Sequence, residues 1–264
     1  EDGIVRMCPS PYPGITHLTL LIDLVSERDH VIDYEFVVCE IDMPRVRSAV
    51  APCEMDEFVW VDLSLARELS EHITQQVFQG QAQISGDTPC SEYLSHGMDI
   101  TYGFDPDLVD QDDPLPGWRM DCSGSTPQVC VTDWAAVVDE DGDGHPGVSL
   151  RVTTDPVDTI TGKAYTTWRT NPHMTGVAHD SALIQGTLAP TMEYDVVGSG
   201  ASLQGLFMDE KTVKRNLPVF LLPEQGSTFR MLRVDGEHGA PDLDDDGNGQ
   251  VDCAELMAHI EIFE

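Results

Sequence analysis

The sequence predicts a mainly β protein, built as an antiparallel barrel or sandwich and ending in a short helix. Three observations lead to this fold class. About a dozen segments alternate apolar and polar residues with the two-residue period of a strand. Turns rich in glycine, proline and aspartate separate these segments at fairly regular spacing. Strands and helices do not alternate, so a parallel α/β sheet is not expected.

The clearest predicted strand is Gln75–Ser85, where Phe78, Gly80 and Ala82 share one face and glutamines share the other. The predicted strands, in chain order, are Ile15–Val25, Val31–Ile41, Glu57–Ala66, Gln75–Ser85, Met98–Phe104, Gln128–Val138, Val148–Thr154, Thr159–Arg169, Ala182–Leu188, Met192–Val197, Pro218–Leu222 and Thr228–Val234. A short helical turn is expected over Leu65–Ile73. A helix is expected over Cys253–Phe263, where apolar residues recur at helical spacing.

The chain has 264 residues, which is enough for one large β domain or two ordinary domains. The alternating pattern stops at the segment GEHGAPD. We therefore expect an antiparallel β domain over residues 1–235 and a tail over residues 236–264 that packs on it.

The charge of the chain restricts its partners. The chain contains 47 acidic and 14 basic residues, which gives a net charge of −33 and a pI near 4.2. Nucleic acid and anionic membrane surfaces both require basic patches, so neither is an expected partner. Cations, basic partners or a salty exterior are favoured, although acidity also simply keeps an extracellular protein soluble. No run of about 20 apolar residues is present, so no membrane span is predicted.

The cysteines indicate an oxidising compartment. They are scattered, without a CxxC pair, which favours disulfides over a zinc site. The seven are Cys8, Cys39, Cys53, Cys90, Cys122, Cys130 and Cys253. Cys122 and Cys130 are close enough to staple a loop, Cys39 and Cys53 flank another, and at least one cysteine is left over. The start EDGIVRMCPS, without Met, fits a mature exported form. We therefore expect an extracellular, periplasmic or outer-surface protein, with lipid anchoring as an option.

The C-terminal segment DLDDDGNGQVDCAEL spaces oxygen ligands as calcium requires. It matches the pattern D-x-[DN]-x-[DN]-G-x5-E in full and resembles the calcium loop of the EF-hand family over twelve residues. The resemblance implies six ligands: side-chain oxygens of Asp244, Asp246 and Asn248, the carbonyl of Gln250, Asp252 directly or through water, and bidentate Glu255. The segment GEHGAP cannot supply an incoming helix, so the loop resembles the half EF-hand of dockerin-type modules. A lone loop on a β domain is expected to be structural and not a sensor.

An inner segment, DEDGDGHPGV, repeats the first half of this pattern. It resembles the DxDGDG loops of thrombospondin type 3 and integrin-like propeller repeats. The implied ligands are Asp139, Asp141 and Asp143, with the carbonyl of His145. Leu150 stands where the closing acid is expected, so a further ligand must come from elsewhere, with Asp133 and Glu140 as candidates. The segment joins two predicted strands, and the alternative interpretation is an Asx-rich turn without metal.

Catalytic motifs are absent from the sequence: it contains no G-x-S-x-G, H-E-x-x-H, Walker or G-x-G-x-x-G segment. Ser181 in HDSAL and a soft-ligand group of His173, Met174 and His179 are weak candidates for catalysis and for copper. The expected function is that of a calcium-binding, non-enzymatic secreted or surface-anchored protein with a structural or partner-binding role. A hydrolase on a calcium-stabilised β scaffold stays open, as does a lectin or a calycin-like barrel carrying a small apolar ligand.

Overall fold

The computed structural model describes residues 7–9, 14–50, 58–86, 89–96, 98–155, 160–189, 191–217 and 226–263. It is mainly β, with antiparallel sheets, one of them curled as a half-barrel, and few helices. The predicted fold class is therefore confirmed. No helix in the described ranges is long and apolar enough to cross a membrane.

The strands and helices of the described residues alternate in no regular order. The strands are β1 (Met7–Pro9), β2 (His17–Arg28), β3 (Val31–Asp42), β4 (Val46–Val50), β5 (Phe58–Leu65), β6 (Val77–Ser85), β7 (Ser91–His96), β8 (Ile100–Tyr102), β9 (Val148–Asp155), β10 (Ile160–Thr170), β11 (His173–Ala178), β12 (Leu183–Ala189), β13 (Met192–Ser199), β14 (Ser202–Leu203), β15 (Leu206–Phe207) and β16 (Thr228–Leu232). The α-helices are α1 (Arg67–Ile73), α2 (Pro127–Cys130), α3 (Glu210–Asn216) and α4 (Cys253–Ala258). Short 3-10 turns cover Pro106–Leu108, Trp134–Ala136, Glu237–Gly239 and Ile260–Ile262.

Two antiparallel sheets carry the fold. The first has nine strands in the order β1-β4-β5-β9-β10-β14-β15, with β8 and β13 also paired to β10. The second has seven strands in the order β16-β12-β11-β7-β6-β3-β2. Strand β10 pairs with four other strands of the first sheet, and β3 joins β6 to the edge strand β2 of the second.

One apolar core lies between the inner faces of both sheets. It joins Phe36 of β3 to Leu150 of β9, and α1 adds Leu69 to the same cluster. The alternation of the strands explains this arrangement, because every second side chain of β3 and β9 turns inward and is buried. Gly80 is required on the inner face of β6, since an added Cβ would lie 2.4 Å from the ring of Tyr34.

The C-terminal tail links strands from opposite ends of the seven-stranded sheet. Cys253 of the tail forms a disulfide with Cys39 of β3. Arg230 of β16 donates hydrogen bonds to the backbone oxygens of Ile262 and Phe263, each at 3.3 Å. Because β16 and β3 lie near opposite ends of the strand order, the tail connects two strands that do not pair with each other in the sheet.

A small apolar cluster fixes the tail against the sheet. We call it the tail cluster: Leu21, Val37, Cys39, Val234, Leu243, Val251, Cys253, Leu256, Met257, Ile262 and Phe263. Within it Leu243 and Leu256 are 3% and 2% exposed. The residues that follow the predicted boundary at 235 therefore share a buried surface with β2 and β3.

Several sequence predictions need correction. The expected strand Gln128–Val138 instead forms α2 and the 3-10 turn Trp134–Ala136, because Pro127 opens a helix and a disulfide joins Cys122 to Cys130. Cys39 pairs with Cys253 and does not staple the segment to Cys53. Cys90 is free and exposed. The expected strand Pro218–Leu222 lies outside the described residues.

Candidate metal centres

Each acidic loop gathers three carboxylates. In the inner loop, ligand oxygens of Asp139, Asp141 and Asp143 lie within 4.8 Å of one another. In the C-terminal loop, the same limit holds for Asp244, Asp246 and Glu255. Like charges at such distances repel, so these arrangements need either a cation or compensating donors.

Backbone donors set the shape of the C-terminal loop. The Asp244 carboxylate accepts hydrogen bonds from the N–H of Asn248 at 3.0 Å and of Gly249 at 2.7 Å. The side-chain oxygen of Asn248 accepts from the N–H of Gln250 at 2.8 Å. These bonds curl the chain around its first aspartate, and Gly249 takes a φ of 88° at the turn, a conformation that suits glycine.

The inner loop has the same hydrogen bonds at matching positions. The Asp139 carboxylate accepts from the N–H of Asp143 at 3.1 Å and of Gly144 at 2.9 Å. The Asp143 carboxylate accepts from the N–H of His145 at 3.0 Å. Gly144 has a φ of 86°, close to that of its counterpart. Over their first seven positions the two loops therefore share one hydrogen-bonding scheme.

The C-terminal loop is closed by an acid at the start of α4. The Glu255 carboxylate accepts from the N–H of Asp246 at 3.1 Å and of Asp252 at 3.0 Å. Asp252 caps α4 by accepting from the N–H of Glu255 at 2.9 Å, which completes a capping box. The neighbouring Cys253 is tied to β3, so the closing acid stands on an anchored helix end.

The inner loop is closed by a serine and a lysine. Leu150, at the position where an acid is expected, is buried in the core. The Ser149 N–H donates to Asp141 at 2.9 Å, and its hydroxyl donates to Asp143 at 2.7 Å. The Lys163 ammonium, on the adjacent strand β10, lies 3.0 Å from the Asp143 carboxylate. Nothing in the loop sequence indicates Lys163, because β-sheet pairing alone brings it there.

The electrostatic environment differs between the three inner carboxylates. Burial raises the pKa of Asp141, and the neighbouring charges of Asp143 and Asp139 raise it further. Its Oδ1 is buried without a hydrogen-bond partner. Burial also acts to raise the pKa of Asp143, but hydrogen bonds from Ser149 and Lys163 outweigh it and the net shift is downward. Asp141 therefore accepts a hydrogen bond at Oδ2, from the Ser149 N–H, and keeps one buried oxygen, Oδ1, without a donor.

The two acids considered as additional inner ligands do not join the group. The Glu140 carboxylate turns toward β8 and α1, where it accepts from the Gly103 N–H and lies 3.5 Å from His72 Nε2. Asp133 is exposed and begins the 3-10 turn Trp134–Ala136. Of the other predicted residues, the His145 ring stacks on Tyr165 with ring centroids 4.2 Å apart.

The weaker candidates for chemistry are not assembled. His173 is the first residue of β11 and His179 follows its last, so the two lie about 20 Å apart along an extended strand. Met174 is buried in the core between them, so the three do not form a copper site. Ser181 is exposed in a turn that Asp180 stabilises by accepting from the Ala182 N–H.

The tryptophans and cavities bear on the carbohydrate and carrier alternatives. Trp118 and Trp168 are buried, while Trp60 and Trp134 are half-buried. An open polar cleft of about 510 Å³ lies between residues 111–115 and β13, with Arg169 in its wall. Arg169 donates to the carbonyl of Asp113 and to Glu193, at 2.8 and 2.7 Å. The apolar cavity beside α3 has about 20 Å³, too small for an organic ligand.

No protein-family model, curated protein or solved structure matches the chain. Any functional conclusion therefore depends on the residues of the two loops and on their surroundings.

Proposed function

We propose that this protein is a non-enzymatic calcium-binding protein of the cell exterior, in which two calcium ions stabilise a β fold. The observation that carries the proposal is the convergence of three carboxylates in each of two loops that share one hydrogen-bonding scheme. Calcium is a hard cation that takes six to eight oxygen ligands, and both donor sets consist of oxygen.

The C-terminal loop would hold calcium as its EF-hand resemblance implies. Its side-chain ligands would be Asp244, Asp246, Asn248 and Glu255, joined by the carbonyl of Gln250 and by Asp252. The closing Glu255 already stands beside Asp246, as its hydrogen bond to the Asp246 N–H shows. Bound calcium would neutralise carboxylates that otherwise repel one another.

The inner loop would hold calcium through Asp139, Asp141 and Asp143, with the carbonyl of His145. The buried and unpartnered Oδ1 of Asp141 fits a metal ligand, because a buried oxygen without a partner is costly unless something positive faces it. Calcium there would fix the connection that leads into β9, which is a central strand of the first sheet.

The location and partner are part of the same proposal. Two disulfides and the lack of a membrane-spanning helix in the described residues are compatible with an extracellular protein. Millimolar calcium outside cells would keep loops of ordinary extracellular affinity, about 10⁻⁴ to 10⁻³ M, at least about half occupied. A surface protein or glycan is the proposed partner class, and the acidic surface favours a basic contact region on it.

Isothermal titration calorimetry with calcium tests the proposal. The wild-type protein should bind two ions after chelator treatment, and the Glu255→Gln variant should lose one of them. Asp245→Asn is the matched control: it removes the same charge from the same loop, but its side chain pairs with His259 at 3.0 Å and is not one of the three converging acids. Full binding by Glu255→Gln, or no heat from the wild type, would overturn the proposal.

A further inference from the structure

Among the described residues, Lys163 is the only one whose side chain forms an ion pair with Asp139, Asp141 or Asp143. Its ammonium lies 3.0 Å from Asp143 Oδ2 and 3.2 Å from Glu68 Oε2 on α1. The Asp143 side chain is 6% exposed and the Lys163 side chain is 32% exposed. This contact is therefore shielded from water on the aspartate side, where a cation has most effect.

The C-terminal loop has no equivalent of this lysine. Among the described residues, no arginine or lysine forms an ion pair with Asp244, Asp246 or Glu255. The nearest basic contact is that of His259 with Asp245, which is outside the proposed ligand set. The two loops therefore share a backbone scheme and differ in whether the protein supplies its own positive charge.

We propose that Lys163 is a built-in counter-ion of the inner loop and competes with calcium for Asp143. This inference rests on the proposed function. Asp143 Oδ2 already accepts from the ammonium and from the Ser149 hydroxyl. A calcium ion bound by the Asp143 carboxylate would repel the Lys163 ammonium as long as the ammonium stays at hydrogen-bond distance from that carboxylate. Calcium binding therefore requires Lys163 to release Asp143.

Glu68 gives the released ammonium a place to go. Its carboxylate is already in contact with Lys163 and does not belong to the group of three converging acids. On calcium binding, the Lys163 side chain therefore only has to move from Asp143 in the loop toward Glu68 on α1. Consequently the inner loop keeps its shape without calcium and binds the ion more weakly than the C-terminal loop does.

Calorimetry in the Glu255→Gln background isolates the inner loop. Replacing Lys163 by Gln should tighten calcium binding there by about tenfold, or about 1.4 kcal/mol, because it removes the charge that competes for Asp143. Replacing it by Arg, which keeps the charge, should leave binding weak. Replacing Glu68 by Gln should weaken binding, because the ammonium loses its second partner. Lys214→Gln is the matched control, since it removes a lysine from the remote carboxylate of Asp195.

The melting temperature, measured in chelator and in calcium, is a second test of the role of Lys163. Lys163→Gln should melt below its parent without calcium, and added calcium should raise its melting temperature more than it raises that of the parent. If Lys163→Gln binds calcium no better than its parent, the role of Lys163 is refuted while the calcium sites stand. If neither protein binds calcium at the inner loop, the proposed function itself fails there.

Discussion

Removing the Cys39–Cys253 disulfide should cost far more stability than removing Cys122–Cys130. The first bridge spans 214 residues of sequence and the second spans 8. A cross-link stabilises chiefly by restricting the unfolded chain, and the loss of entropy grows with the logarithm of the loop length. The relation gives about 5 kcal/mol for the long loop and about 2.5 kcal/mol for the short one.

The position of the long bridge adds a structural consequence. It fastens the tail to β3, and the tail also contacts β16 near the other end of the same sheet. Without the bridge, the tail cluster and the C-terminal loop must hold the tail alone. We therefore expect the Cys39→Ala/Cys253→Ala variant to expose its tail to protease before the whole domain unfolds.

Thermal and guanidinium unfolding of both double alanine variants, each in saturating calcium, measure the difference. For a chain of 264 residues the expected losses correspond to about 10 °C for the long bridge and about 5 °C for the short one. Limited proteolysis should cleave the first variant near residues 236–242 and leave the second intact there. Equal losses, or a larger loss from the Cys122/Cys130 pair, would refute the loop-entropy reasoning.

Three further predictions concern single residues. Leu256→Ala should cost about 3 kcal/mol in urea unfolding, because its side chain is 2% exposed in the tail cluster. Gly142→Ala should cost about 1 kcal/mol for its positive φ, and Gly147→Ala about 3, because its added Cβ would also lie 2.4 Å from a backbone oxygen of β10. Equal costs would contradict the clash. Hydrogen bonds from Arg233 lower the pKa of Asp235 to about 2, so this pair stabilises the fold above the ordinary aspartate pKa and loses its effect as the pH falls through about 2. Carboxyl NMR titration should show this value, and Arg233→Gln should raise it toward the ordinary aspartate pKa of about 3.9, although the Glu237 N–H still donates to Asp235.

Local pattern was sufficient for the strands that alternate cleanly. Predicted segments match β3, β6 and β9 closely because one face of each packs in the core. The other face is polar in β6 and β9, whereas in β3 it carries Val37 and Cys39, which contact the tail. The alternation of apolar and polar residues did not reveal β7 and β11, which were not predicted. Both are six-residue strands with one large buried side chain each, Tyr93 and Met174, and small residues at the other inward positions, such as the buried Ser91 and Ser95. A serine that is buried for packing reasons looks like a loop residue in the sequence.

The spacing of the acidic residues in the sequence was enough to identify both loops. It could not identify the basic residue that partly neutralises the inner loop. Asp139, Asp141 and Asp143 converge as their spacing predicts, and so do Asp244, Asp246 and Glu255. Lys163 and Glu68 lie far from the inner loop in sequence and reach it only through the pairing of β9 with β10 and the packing of α1. Sheet register is a property of the whole fold, so no local motif contains this information.

Under the proposed function, the placement of the three lysines indicates where calcium should matter most. Lys163 pairs with Asp143, Lys211 donates to the Cys122 carbonyl, and Lys214 donates to the Trp118 carbonyl and to Asp195. Each lysine therefore supports a loop around the nine-stranded sheet, and none reaches the C-terminal loop. In a chain of net charge −33, that loop carries its converging carboxylates without a lysine or arginine partner in the described structure. It also lies in the tail that contacts strands near both ends of the seven-stranded sheet. Chelation should consequently loosen the tail first, while the inner loop, neutralised in part by Lys163, keeps its shape.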